Sequence, residues 1–505
     1  MRRLLFILTL PCLLWSKDLI LKTRLSSLDP LSVAEHLAFY EVHPETEEGK
    51  QALGHAWHLL SGGKIDSKKT ALALPPVDIL PLISLITRDQ SEKPAKLDPE
   101  QLAAVEKLGE ELPNRFLKGH QIWTRQQLLE LEPHEVDLGR GLLIEQFNEN
   151  VEDIRQYEAG LDLMALQVKA RLPQSANHED QVREISNFIF QEMRFRFPPH
   201  SIYAKDVDLY TFLPSVMDSR EGVCLGVSIL YLCIAQRIGL PLEIITPPGH
   251  IYVRYRNGVK VINIETTARG VNLPSDVYLG LDTRRLQERN IKEVIGLAYI
   301  NQASVAWGLN DHTTTLERYE KARPYVGDDP LLDLFMGLNY LFVGKKKEGK
   351  ALLDKLRHYT FDWAVSGETM ADDYLDGNVD AEGIKAVFMH VDETRESIIE
   401  KQKILSQSIK KYPRFRAGLL QLAVSWLQLG RNAEAEAILE KYHKIDPRNS
   451  VVEYYIAAIA TQRFDYNKAW RHLQITEAIL KARDHKSPAL RGLRNHLRNY
   501  VVPSN

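Results

Sequence analysis

Apolar and polar residues alternate from His250 to Tyr255 and again from Val259 to Glu265, on either side of Asn257-Gly258. A period of two reads as strand, and Asn-Gly is the dipeptide that best favours a two-residue type I′ turn, so the pattern predicts a β-hairpin. With that turn Arg256 faces Val259, and counting outward pairs Tyr255 with Lys260, Val253 with Ile262 and Ile251 with Ile264. That face is mostly apolar. The other carries Arg254 with Val261, Tyr252 with Asn263, and His250 opposite Glu265. Cross-strand partners hold their Cβ atoms roughly 4.5 to 5.5 Å apart, so a carboxylate there can reach an imidazole. A slip of one residue would turn His250 to the other face, and the apolar pairing disfavours it. Asn263 shares the polar face and is the second choice as ring partner.

Upstream of the hairpin, the stretch from Arg220 to Ser228 leads into a nearly all-apolar run that predicts a buried helix opening at Cys224. In the first turn, unpaired backbone donors and the helix dipole stabilise a thiolate. Cys233 lies nine residues on, roughly 13.5 Å along the axis and half a turn away. The two cannot form a disulfide, and Cys233 reads as a small core residue. Cys224, His250 and Glu265 therefore supply a thiol nucleophile, a base and a group to orient the base, if they meet. Each also has a plain structural reading: a buried helix-end cysteine and a surface charge pair on a two-faced hairpin.

The rest of the chain is patterned as helix. Asp98-Pro99 suits a helix start within residues 17–150, where the segment Ser61 to Lys69 marks a break. Toward the C-terminus a period of 34 residues emerges: Leu422, Ala423, Ala435 and Leu439 recur as Ile456, Ala457, Ala469 and Leu473, with Pro447 between the units. Small residues at such places let paired helices approach, and repeats must stack to bury their apolar faces. Weaker copies fit 296–329, with Trp307 and Ala322, and 330–363, with Gly337, Tyr340 and Gly344. Between the blocks, Asp372 to Asp380 is locally acidic. A calcium loop starting at Asp376 would put Ala381 where glycine is required and Val387 where glutamate is required, so a solvated loop is expected.

Charge and composition narrow the function classes. With 64 basic against 67 acidic side chains the net charge is −3, and no global field calls for nucleic acid. At 505 residues and 44% hydrophobic, the chain has the length of about three globular domains. Arg2 and Arg3 precede the apolar run Leu4 to Trp15, which reads as a secretory signal peptide ending near Ser16, the alternative being an uncleaved inner-membrane anchor. No other stable membrane span is expected. Cys12 falls inside that run and fits a lipoprotein signal badly. In an oxidising compartment an unpaired Cys224 is easier to explain as functional or buried than as neutral surface. No cofactor is expected, nor a metal at Cys224, since no paired ligand spacing such as C-x-x-C accompanies it.

Four pieces of the run from Arg183 to Gly270 carry a resemblance: Glu184 to Pro198, Asp218 to Leu232, Arg237 to Pro241 and Pro248 to His250. Together they resemble the bacterial transglutaminase-like superfamily, particularly its SirB-like branch. The resemblance implies a papain-like fold with the nucleophilic cysteine at a helix start and the His and Asp on adjacent antiparallel strands. By that pattern Cys224 is the nucleophile, His250 the base, and Glu265 occupies the Asp position. Many SirB-like relatives carry proline where this chain has Cys224.

The expected fold is an α+β papain- or transglutaminase-like core, with a helix packed on an antiparallel sheet, a helical N-terminal region and an all-α tetratricopeptide-like C-terminal region. The expected organisation is a signal peptide at 1–16, a helical region at 17–150 and the transglutaminase-like domain at 151–290. Repeats at 291–363, an acidic loop and helical connector at 364–415, repeats at 416–485 and a C-terminal helix or tail at 486–505 follow. Two functions remain open. One is an exported cysteine acyl-transfer enzyme, a peptidase, amidase or transamidase. The other is an inactive scaffold whose core and repeats bind a protein or peptide.

Overall fold

A computed structural model describes residues 19–63, 74–89, 91–198, 210–364, 367–392 and 394–500. The expected signal segment and Cys12 lie outside the described residues, as does most of the break expected at 61–69.

Helices of the N-terminal region include α1 (Glu47–Leu60), α2 (Pro99–Leu108) and α3 (Leu138–Gln146). Asp98 caps α2 in a full capping box with Gln101, and Pro99 takes the first helical position, where a missing N–H costs nothing. The 21-residue α4 (Val151–Arg171) lies beneath α6 (Cys224–Ile238), and the short α5 (Leu213–Ser219) leads into it. One continuous core joins Leu59, Leu82 and Leu143 to Leu161, Tyr231 and Ile264, so the N-terminal helices and the sheet-bearing unit bury their apolar faces against each other.

Inside that core Arg237 is fully buried and its Nε donates to Asp162 Oδ1 at 2.7 Å. The pair ties α6 to α4. Removing one member of such a pair costs about 3–5 kcal/mol because the other charge stays buried. Gly226 permits the approach of the chain entering α5, since a Cβ there would stand 2.2 Å from the Tyr210 carbonyl oxygen. Cys233 is buried, as its pattern implied, and burial pushes its thiol up to about 12.

Against α6 lies a four-stranded antiparallel sheet in the order β3-β2-β1-β4, made of β1 (Glu243–Thr246), β2 (Tyr252–Asn257), β3 (Lys260–Ile264) and β4 (Gln287–Arg289). The hairpin β2–β3 forms, with a register two residues from the expected one. Asn257 pairs with Lys260, Tyr255 with Ile262 and Val253 with Ile264. Gly258 and Val259 form the turn, and the positive φ falls on Gly258, as in a type II′ turn with glycine first. A shift of two preserves faces because side chains alternate with period two. Arg254, not Tyr252, is therefore opposite Asn263, and His250 precedes the strand instead of standing opposite Glu265 in the ladder.

Beyond the sheet the chain is helical repeats. Antiparallel pairs are α7 (Ile291–Gly308) with α8 (His312–Val326), and α9 (Pro330–Phe342) with α10 (Lys346–Lys355). After the short α11 (Met370–Leu375), α12 (Ala381–Phe388) packs on α13 (Arg395–Lys411). The pattern resumes as α14 (Arg416–Gln428) with α15 (Asn432–Ile445), and α16 (Ser450–Gln462) with α17 (Tyr466–Ala482), before α18 (Pro488–Arg498). Ala423, Ala435, Ala457 and Ala469 are fully buried where the helices meet. Gly344, at φ +83°, turns α9 into α10, and a Cβ on Gly349 would stand 2.7 Å from the Gly337 carbonyl oxygen. Trp307 packs on Phe335, Phe342 and Phe388, joining three pairs.

The acidic stretch differs from the solvated loop expected. Its start is the helical turn α11, and Asp373 is fully buried, accepting from Arg416 Nε at 2.8 Å and from the Arg416 backbone N–H. An arginine 43 residues away, invisible to local composition, makes that burial tolerable. Among the described residues no helix is long and apolar enough to cross a membrane.

Candidate active site

Cys224 is the first residue of α6 and is half-buried. Val223 precedes it in extended conformation and offers no side-chain cap, so the backbone donors of the first turn meet no capping side chain. Such a helix start favours negative charge. The start of α6 is tied to the end of β3: Thr266 Oγ1 donates to the Cys224 carbonyl at 3.4 Å and meets Ser228 Oγ at 3.0 Å.

His250 reaches the same place from the other side. A turn closed by its N–H donating to the Pro247 carbonyl at 3.1 Å, with Gly249 at φ +67°, delivers it just ahead of β2. Its Nε2 lies 2.7 Å from Glu265 Oε2. With Nε2 engaged by the carboxylate, Nδ1 is the nitrogen left to meet the thiol. Burial lowers the imidazole's proton affinity, but hydrogen bonding and charge from Cys224 and Glu265 outweigh it and raise the pKa to about 9.

Glu265 closes β3 and caps the short turn at Thr266–Ala268. Its Oε1 accepts from the Thr267 N–H at 3.1 Å and the Thr267 hydroxyl at 2.6 Å, while Oε2 accepts from His250 and the Tyr278 hydroxyl. Burial pushes this carboxyl up, yet His250, Thr267 and Tyr278 together bring it down to about 2. It is therefore ionised across the physiological range. An ionised acceptor on Nε2–H fixes that proton and leaves Nδ1 as the position that exchanges a proton with the thiol, and the raised pKa favours the ring that has taken it.

The structure thus gathers Cys224, His250 and Glu265 at one point, although not through the ladder pairing counted from the turn. Asn263 is elsewhere: its Oδ1 accepts from Arg254 Nε at 2.8 Å, and its amide donates to the Leu273 carbonyl and Ser275. Two supporting residues escaped the sequence reading. Thr267 follows Glu265 by two, the spacing of a side-chain cap, and could have been found on that ground. Tyr278 carried no signal. It stacks on His250 at 5.6 Å between ring centroids, and on Tyr252 at 5.0 Å.

Past Tyr278 the chain crosses to the C-terminal repeats. Asp282 is buried there, accepting from Arg483 at 2.9 Å, from the Gly367 N–H at 2.8 Å and from the Ser450 hydroxyl. Arg284 donates to the Arg483 carbonyl at 2.9 Å and pairs with Asp362. The support of the glutamate and the docking onto the repeats are consecutive on one segment.

Residues 155–278 match the transglutaminase-like superfamily, and the chain carries a domain of that kind. The match spans α4 through Tyr278. No curated protein matches the chain. Among solved structures, similar proteins include MamA (residues 41 to the end) from Desulfovibrio magneticus, at 13% identity over 37% of this chain and 97% of that one, with a TM-score of 0.20. A thermophilic TPR protein from Thermus thermophilus matches at 16% identity over 40% of this chain and 97% of its own, with a TM-score of 0.20. PilW, a type IV pilus biogenesis factor, matches at 17% identity over 39% of this chain and 82% of its own, also with a TM-score of 0.20.

Proposed function

We propose that this protein is an exported cysteine acyl-transfer enzyme whose tetratricopeptide-like repeats dock a protein or peptide partner. Cys224 is the nucleophile, His250 its base, and Glu265 the group that orients the imidazole. The observation that carries the reading is the 2.7 Å contact between His250 Nε2 and an ionised Glu265, with Cys224, at a helix start, close enough to raise the pKa of the same ring. His250 takes the thiol proton at Nδ1, and Glu265 stabilises the imidazolium. The thiolate adds to an amide or ester carbonyl, and the Cys224 N–H donates to the oxyanion that forms. Collapse of this adduct leaves a thioester and expels the amine or alcohol, which takes its proton from His250. Water or an amine then attacks the thioester, losing a proton to the ring, and the thiol is released.

Alkylation separates this enzyme from an inactive scaffold. Iodoacetamide at about pH 6.5 labels Cys224 in the wild type and labels it far more slowly in His250→Ala, with sites mapped by peptide mass. Cys233, buried with its thiol pushed up to about 12, is the internal control and stays unlabelled while the protein is folded. A Cys224 that labels equally in both proteins, or in neither, leaves the scaffold as the function. Cleavage of the first sixteen residues on secretion, read by N-terminal sequencing, tests the export.

A further inference from the structure

Two clusters among the described residues bring three potential metal ligands within 4.8 Å of one another. In the first, His120 meets Asp137 and Glu158, but Arg140 holds Glu158 through two hydrogen bonds of 2.6 Å and Arg115 donates to His120 Nε2 at 2.6 Å. That cluster is already supplied with cations. The second lies in the last repeats. His443 on α15 and His472 on α17 both turn Nδ1 toward Glu453 on α16, at 2.5 and 2.7 Å. Their rings are 5.5 Å apart.

The second cluster has no guanidinium. Glu453 is fully buried, and its ion pairs among the described residues are with these two histidines. Lys468, one turn before His472, is bonded instead to Glu436 and Glu440. A carboxylate out of water requires compensating charge, which imidazoles supply only when protonated and a divalent cation supplies with the rings neutral. Two imidazoles and one carboxylate are a ligand set that zinc accepts, with a fourth position for water. His443 is one-third exposed and gives the ion a route in. The rings meet different oxygens of Glu453, Oε1 for His443 and Oε2 for His472, with one ligand atom from each residue within 4.8 Å of the others; ligand atoms around tetrahedral zinc stand ~3.3 Å apart, so the set needs to adjust by about 1.5 Å at most.

We propose that His443, Glu453 and His472 form a zinc-class divalent cation site that staples α15, α16 and α17. Nδ1 of each ring must be unprotonated to ligate, so any proton held there leaves to solvent on binding. Ser450, which begins α16, holds Asp282, so the staple steadies the surface on which the segment after Tyr278 docks. The ligands come from two successive repeats, His443 from α15 of one and Glu453 and His472 from α16 and α17 of the next, so spacing along the chain follows no local ligand motif.

The test uses the full-length, untagged chain carrying Cys12→Ala and Cys224→Ala, which leaves buried Cys233 as the one thiol, titrated with zinc against a chromophoric chelator. One equivalent is expected. Zinc-edge X-ray absorption should find two imidazoles and a carboxylate oxygen, and the equivalent should be lost in Glu453→Gln and in His443→Ala/His472→Ala. Thermal unfolding of each variant establishes that it folds. Failure of the parent chain to retain zinc, or retention of the equivalent by a folded ligand variant, overturns the proposal. If the variants do not fold, the absorption spectrum of the parent decides: two imidazoles support the site, and one or none overturns it.

Discussion

His250 and His472 each hold a buried glutamate at 2.7 Å, and the two sites part company in what surrounds the carboxylate. Glu265 receives one imidazole and three donors from hydroxyl and backbone groups of Thr267 and Tyr278. Its lone pairs are filled, and the single ring is held by one nitrogen with the other turned to a thiol. Glu453 receives two imidazoles from different helices. A carboxylate saturated by neutral donors fixes a ring and leaves its far nitrogen to do chemistry, whereas one shared between two rings is a chelate. Histidine and glutamate are the same in both; the neighbours decide the role.

The strongest way to break this contrast is Glu265→Gln, which keeps the shape and removes the charge. Turnover of an activated ester should fall by about 10⁴-fold, the size of effect seen when a triad carboxylate becomes an amide. Unchanged turnover would make Glu265 structural and reduce the two pairs to one kind. Tyr278→Phe is a finer cut. It removes one donor from Glu265 while leaving the ring stacked on His250, and a hydrogen bond to a charged group contributes about 1.5–3 kcal/mol. kcat should drop by about tenfold with KM little changed, measured on the same ester. A loss confined to KM would mean that Tyr278 contacts the substrate and does not hold the carboxylate.

How far the site could be read from sequence follows from which interactions are local. The faces of the hairpin were legible because alternation determines them, and a register error of two residues left them unaltered. Cys224 at a helix start was legible from the switch between loop residues and an apolar run. The 34-residue spacing located buried Ala423, Ala435, Ala457 and Ala469 because helix pairs require small residues where they touch. Tyr278 was not legible: a 13-residue span through irregular chain brings its hydroxyl to Glu265. The burial of Asp373 by Arg416 and the convergence of His443, Glu453 and His472 likewise depend on how successive repeats stack.

The smallest effect expected is on stability, and it sharpens the comparison through the sign of its pH dependence. His250 is raised from 6.5 to about 9, so the stabilisation it gains on folding is complete below about pH 6.5 and is lost as pH rises through 9. Glu265 is lowered from 4.5 to about 2, so its contribution is present above about pH 4.5 and disappears as pH falls through 2. Both are complete between about pH 4.5 and 6.5. Urea unfolding midpoints should therefore show a plateau in that window and a decline on each side. Glu265→Gln should flatten the acid side and weaken the alkaline decline, while Cys224→Ala should weaken only the alkaline one, because Cys224 raises His250 and does not touch Glu265. If both variants keep the wild-type profile, the pH dependence arises elsewhere and the coupling between thiol, ring and carboxylate is too weak to support proton transfer among them.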